Sequence, residues 1–416
     1  MQEHDRVPAA LRHCSVYLSP SLSYKGSLVT RTLRHTFTIA IGAAAVGPLP
    51  RLGAQLVERP ARVEVMVPAS PIPAFLAGKR ALCYELHITN LGAGALRIMA
   101  IDVYRAGRGA RPGAPAVASY RDTALAHVLA APAMRDSVSP ARLEPEQRTV
   151  AFLWLAFPDT GSLPAALRHR LTFEILDSAD VRRDGGTESV LDSILVKVSA
   201  VVTPLFQAPL RGGVWLAAGP SNGSDHRRSI TAIKGRAYLA QRFAIDWQKL
   251  GPNDNTYHGD GHHNADYWSY GEPVLSVAPG EVIAELDTVH ENAPHEPLPR
   301  MPFANLAGNS VTVRIAGNRY VTYAHLQLGS VRVRVHDHVA AGQLLGLLGN
   351  SGQATAPHLH FQVTDGPSIL GAEGVPFRLT TFRHVGFGAT YELGAKHEDV
   401  LHRGEMPADD EIVRLP

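Results

Sequence analysis

In LCYELHITN, residues 82–90, Leu82, Tyr84, Leu86 and Ile88 alternate with Cys83, Glu85, His87 and Thr89. A period of two is that of an extended strand with one face buried. RIMAIDVYR, TVAFLWLAF, LTFEIL and ILVKVSAVV follow, separated by turns that carry Pro, Gly or Asp. Several short strands without helical periodicity predict an immunoglobulin-like β-sandwich over 55–205, with its polar residues on solvated faces. Nothing in this half suggests chemistry, so its expected role is packing or binding. PLRGGVWLAAGPSNGSD (209–225) reads as the loop that closes it. Strand patterns then resume in RSITAIK, AYLAQRFAID, PVLSVAPGEVIAEL, SVTVRIAG, RYVTYAHL, QLLGLLG and LHFQVT, again punctuated by Gly and Pro. The expected class is all-β throughout, with a second domain over 206–380 and a C-terminal extension, 381–416, that adds a final strand.

The length of 416 residues is too great for one core, which supports this division. Net charge is only +2, and the basic excess sits in the first 54 residues, which argues against a nucleic-acid partner held through its phosphates. There are two cysteines and no CxxC, so a bound metal has to use histidines and carboxylates. Arg31 and Arg34 precede the apolar run TFTIAIGAAAVGPLP and the small-residue stretch RLGAQ, the pattern of a targeting signal cleaved near Ala54. The signal lies deep, as it would if translation began near Val29. Export to the periplasm, the cell envelope or the medium is therefore expected, and no later stretch reads as a transmembrane span.

The second half holds most of the histidines. In TAPHLHFQV (355–363), alternation puts His358, His360 and Gln362 on one strand face and Leu359, Phe361 and Val363 on the other. Two histidines on one face can bind a metal, or a metal and a reacting water. In RYVTYAHL the same rule places Val321, Tyr323 and His325 together.

GEPVLSVAPGEV, NSVTVRI, YVTYAHL, VHDHVAAGQLLGLLGNSG and APHLHFQV, in this order, resemble the lysostaphin/LytM-type zinc metallopeptidases, peptidoglycan endopeptidases built on a β-barrel-like duplicated hybrid motif. The resemblance covers roughly residues 220–380. It implies that His360 binds zinc, that His358 acts as base and that His325 assists in the transition state. With export, it also implies peptidoglycan stem peptides or cross-bridges as substrate, although another peptide substrate stays open.

The other ligands of that family come from an HxGxD motif before the GxPV turn. The matching segment here is RFAID: Asp246 fits the aspartate, but Arg242 stands where the histidine belongs. Arginine stays protonated and cannot ligate zinc. DHRRSITAIKGRAYLAQRFAID reads as a hairpin turning at Lys234-Gly235-Arg236, which pairs residue 226 with 244 and brings His226 to the face of Asp246. The alternative is His262 with Asp266, just before YGEPV in a stretch that reads as an inserted, solvated loop. His226 with Asp246 is the preferred pair. Two histidines and one aspartate suit a catalytic zinc with an open position. The rival readings are a zinc-free regulatory module for another envelope hydrolase and a phosphocarrier with paired histidines.

Overall fold

The computed structural model describes residues 61–107, 109–130, 139–158, 162–176, 188–252, 255–388 and 399–416. The targeting signal expected over 1–54 lies outside them. Among the described residues no helix is long and apolar enough to cross a membrane. The described residues are all-β apart from the helix Asp122–Val128 and isolated helical turns.

The alternating segment forms the strand Lys79–Asn90, paired antiparallel with Arg148–Pro158 along its length, Leu82 opposite Leu155 and Leu86 opposite Ala151. With three shorter strands they make a five-stranded sheet, and a second five-stranded sheet is built around Leu96–Ala106 and Ala166–Ile175. Leu82, Tyr84, Leu86 and Leu153 of the first sheet share one core with Ile101, Val103, Leu171 and Phe173 of the second. The two sheets thus pack face to face as a sandwich.

The opposite face of the first sheet is not solvated, contrary to expectation. Ala81 and Cys83 belong to the core of the second half, together with Phe206, Phe243 and Phe382. Val150 and Phe152 pack against Leu239. Glu85 and His87 are buried at 1% and 4% exposure. The cause is visible in TVAFLWLAF, whose successive positions are all apolar but one, the signature of a strand covered on both faces. Burying a carboxylate there requires a cation, and two are supplied from the second half, as described below.

That second half is organised around an eleven-stranded sheet. Its middle strands run in the order Glu411–Arg414, Val214–Ala218, Ile245–Leu250, Leu359–Thr364, Arg319–Leu326 and Asn309–Ile315. VWLAA, read above as part of a loop, is therefore an interior strand, paired on both sides and burying Trp215 and Ala217. The C-terminal stretch contributes three strands in place of one: Arg378–Phe387, Val400–Glu405 and Glu411–Arg414. Register places Ala218 opposite Asp246, Asp246 opposite His360, and His360 opposite Ala324. On the other face Ile245, Phe361 and Tyr323 enter the core. A period of two does the sorting: the apolar set is held inward and Asp246 and His360 are left facing the cleft.

Candidate metal centre

Asp246 is the hub of the cleft. Its Oδ1 lies 2.9 Å from His360 Nδ1, and its Oδ2 lies 3.2 Å from His226 Nε2. His358 Nε2 is 3.6 Å from Oδ1. The rings of His226 and His360 meet edge to face at 4.9 Å, and His325 stands 4.8 Å from His358 and 5.8 Å from His360. One ligand atom each from His226, Asp246 and His360 fits within 4.8 Å of the others. These residues, with His325 and His358, line a cleft of about 400 Å³ whose walls include Phe303, Leu306, Ile369 and Leu370.

The tautomer of His360 is set by its neighbours. Gln362 donates its amide to Ile369 O at 2.7 Å, which turns its Oε1 toward His360 Nε2 at 3.0 Å. An amide oxygen only accepts, so Nε2 carries the proton and the lone pair of Nδ1 faces the Asp246 carboxylate. Two acceptors at hydrogen-bond distance need a cation or a proton between them. The two imidazoles and one carboxylate are the donor chemistry that zinc takes.

Burial pushes the Asp246 carboxyl upward, but the neighbouring His358, with His226 and His360 against its two oxygens, outweighs it and holds it well below the usual carboxylate range. Burial, followed by His358 and His360, keeps His325 well below the ordinary histidine value. His325 and His358 both tie Nδ1 to a backbone carbonyl, Ser351 O and Ala356 O, each at 2.8 Å. In the neutral ring that leaves a lone pair on each Nε2.

His325 reaches the cleft by breaking alternation. Strand geometry would send it inward beside Val321 and Tyr323, both in the core. Instead its backbone is left-handed, φ 63°, at a bulge in its own strand: Tyr323 pairs with Val311 and Leu326 with Asn309, so Ala324 and His325 together oppose Ser310. A non-glycine residue in that conformation is uncommon and clusters at functional sites. The expectation that Val321, Tyr323 and His325 share a face is corrected accordingly.

The route of His226 also differs from the hairpin expected. The hairpin is short, Thr231–Ile233 with Arg236–Tyr238, and turns on Lys234 and Gly235, both at positive φ. His226 lies before it, in the one-turn helix Asp225–Arg228 capped by Ser224 Oγ, which accepts from Arg227 N. The polar run SNGSD supplies a helix cap in place of a strand. The chain gets there through Gly219, directly after the strand residue opposite Asp246. A Cβ on Gly219 would stand 2.3 Å from His226 Nδ1, at a φ of +111°. Gly219→Ala is expected to displace the imidazole and weaken zinc binding by about tenfold or more, measured by chelator competition. Unchanged affinity would show that the loop relaxes around the methyl group.

Arg242 and the alternative pair lie elsewhere. The guanidinium of Arg242 turns away to Glu85, 2.7 Å, and Glu373, 2.6 Å. His262 is exposed, its ring tilted against that of His295 at 5.2 Å, and Asp266 accepts from the backbone of His263. Among the described residues, neither joins the cluster of His226, Asp246 and His360.

Residues 262–370 match the peptidase family M23. The chain carries an M23 peptidase domain. Glycyl-glycine endopeptidase ALE-1 of Staphylococcus capitis is 26% identical over 113 residues, 27% of this chain and 27% of that protein. Peptidoglycan DD-endopeptidase ShyA of Vibrio cholerae is 42% identical over 57 residues, 14% of this chain and 13% of that protein. The solved catalytic domain of lysostaphin from Staphylococcus simulans is 23% identical, over 35% of this chain and 80% of that one, with a TM-score of 0.21. The chain thus spans less than a third of the length of the curated relatives it matches. The M23 match holds His325, His358 and His360 but begins beyond His226 and Asp246. Two of the three donors, His226 and Asp246, come from chain outside the M23 match, and sequence reasoning missed Gly219, Arg227 and Glu85, which shape that part.

Proposed function

We propose that the protein is a zinc-dependent endopeptidase that hydrolyses peptide bonds of bacterial cell-wall peptidoglycan. His226, Asp246 and His360 hold the metal, His358 is the general base and His325 stabilises the transition state. The observation that carries this reading is the convergence of His226 Nε2 and His360 Nδ1 on the two oxygens of Asp246, inside a cleft also lined by His325 and His358. Zinc held there would supply Lewis acidity toward the scissile carbonyl and lower the pKa of a water to about 7. One carboxylate and two neutral imidazoles leave it a net positive charge, so that acidity is retained.

The remaining steps belong to side chains. His358, fixed by Ala356 O, presents Nε2 to receive the proton of the attacking water and later return it to the leaving amine. His325, whose ring stands 4.8 Å from that of His358 in the same cleft, is assigned the stabilisation of the developing oxyanion. Phe303, Leu306, Ile369 and Leu370 supply apolar walls that help exclude water around the reacting groups.

Peptidoglycan as the substrate rests on the M23 domain, on the names of its relatives and on the export signal expected near the N terminus. A metal-free regulatory module would need the donor place vacated at Arg242 to remain unfilled. His226 stands 3.2 Å from Asp246 in that role, which favours the enzyme.

Purified mature protein is expected to contain about one zinc per chain and to release soluble fragments from isolated cell walls. Chelation should abolish the release and added zinc restore it. Release that is indifferent to chelator, or no release from walls of several cross-link types, would count against this function.

A further inference from the structure

We propose that Glu85, on the sandwich strand Lys79–Asn90, is a positioning residue of the metal centre: through Arg227 and Arg242 it fixes the two segments that carry His226 and Asp246. The sandwich is then a structural part of the centre and not a detachable module. The inference rests on the donor set proposed above.

Arg227 follows His226 directly, and its side chain is fully buried. One guanidinium nitrogen is bonded to Glu85 Oε1. The other donates to Tyr84 O at 3.2 Å and Leu153 O at 3.4 Å, and the group lies over the Phe152 ring at 5.1 Å. All of these partners are on the sandwich. A helix of one turn has no stability of its own, so the position of His226 has to come from such anchors. Asn222, in the same loop, adds a bond to Phe152 O at 2.8 Å.

Arg242 stands four residues before Asp246. Its Nε is 3.1 Å from Glu85 Oε1 and a terminal nitrogen is 2.7 Å from Oε2, a two-pronged contact that fixes direction as well as distance. The same guanidinium bonds Glu373 and Gly374 O. Glu85 thus spends both oxygens on the two arginines. Burial pushes its carboxyl upward, but Arg227 and Arg242 pull it down to about 2, so it is ionised at neutral pH. Among the described residues it is the only carboxylate paired with Arg227, whereas Arg242 also has Glu373. Losing it leaves Arg227 as an uncompensated buried charge, a situation a chain escapes by moving the segment that carries it. The arrangement gives a physical account of arginine at 242: that position serves as the anchor of the ligand-bearing strand, and the second imidazole comes from the loop held by the same carboxylate.

The test uses the full chain, stripped of metal, and measures zinc affinity by competition with a chromophoric chelator. The visible spectrum after cobalt substitution and the melting of the metal-free chain are recorded alongside. Glu85→Gln and Arg227→Lys are expected to weaken zinc binding about 10- to 100-fold and to alter the cobalt spectrum. Glu373→Gln, which leaves both Glu85 contacts in place, keeps the wild-type affinity and spectrum even if it lowers the melting temperature. Arg227→Lys retains the charge and decides the matter should Glu85→Gln fail to fold. Wild-type affinity in folded Glu85→Gln or in Arg227→Lys overturns the inference, as does a loss in Glu373→Gln equal to that in Glu85→Gln. His226→Ala separates the two levels: tight zinc in that variant sinks the donor set itself, whereas weakened zinc there with unchanged binding in Arg227→Lys sinks the role of Glu85 alone.

Discussion

Asp246→Ala should reduce the zinc content of the purified chain from about one per molecule to near zero and remove hydrolytic activity with it. The carboxylate is in contact with His226, His358 and His360 at once, so its loss takes away one donor and the group that holds the others together. It also supplies the negative charge that makes a dication favourable in a partly buried cleft. Fold should survive, because the inward face of this strand, Ile245 and Trp247, is untouched. Metal analysis beside circular dichroism checks both parts. Full zinc in Asp246→Ala together with loss in His262→Ala would transfer the site to the exposed loop and reverse the assignment.

His358→Ala separates chemistry from metal binding. Removing a general base costs roughly 10²- to 10⁴-fold in rate, while zinc stays near its wild-type level because His226, Asp246 and His360 remain. The loss should fall on kcat more than on KM, since the proton transfer occurs only in the transition state. Activity within about threefold of wild type, below any general-base contribution, would move the base to His325. The neutral ring of His325, with Nδ1 bonded to Ser351 O, also offers a lone pair.

Period-two alternation made most of the fold legible. It gave the strands of the sandwich, the inward Phe361, and the shared outward face of His360 and Gln362. The ordered motifs from GEPVLSVAPGEV to APHLHFQV carried the family resemblance, and the M23 match over 262–370 agrees with it. What escaped the sequence lies where local rules are broken. The left-handed residue at His325 inverts a side chain that alternation points inward. The cap at Ser224 turns an expected strand into a helical turn. The burial of residues 81–90 on both faces could have been read from the partner TVAFLWLAF, but a strand says that it is covered without saying by what.

Sequence by itself determined the all-β class, the shared face of His360 and Gln362, and the absence of a histidine where Arg242 stands. Tertiary structure alone puts His226 Nε2 3.2 Å from Asp246. His226 and Asp246 are twenty positions apart, and they meet because Gly219, Ser224 and the buried Arg227–Glu85 pair steer the loop that carries His226. Residue spacing predicts a contact within one helix or strand, where geometry repeats. It cannot predict one made by an irregular loop, whose path is set by the partners it finds across the fold.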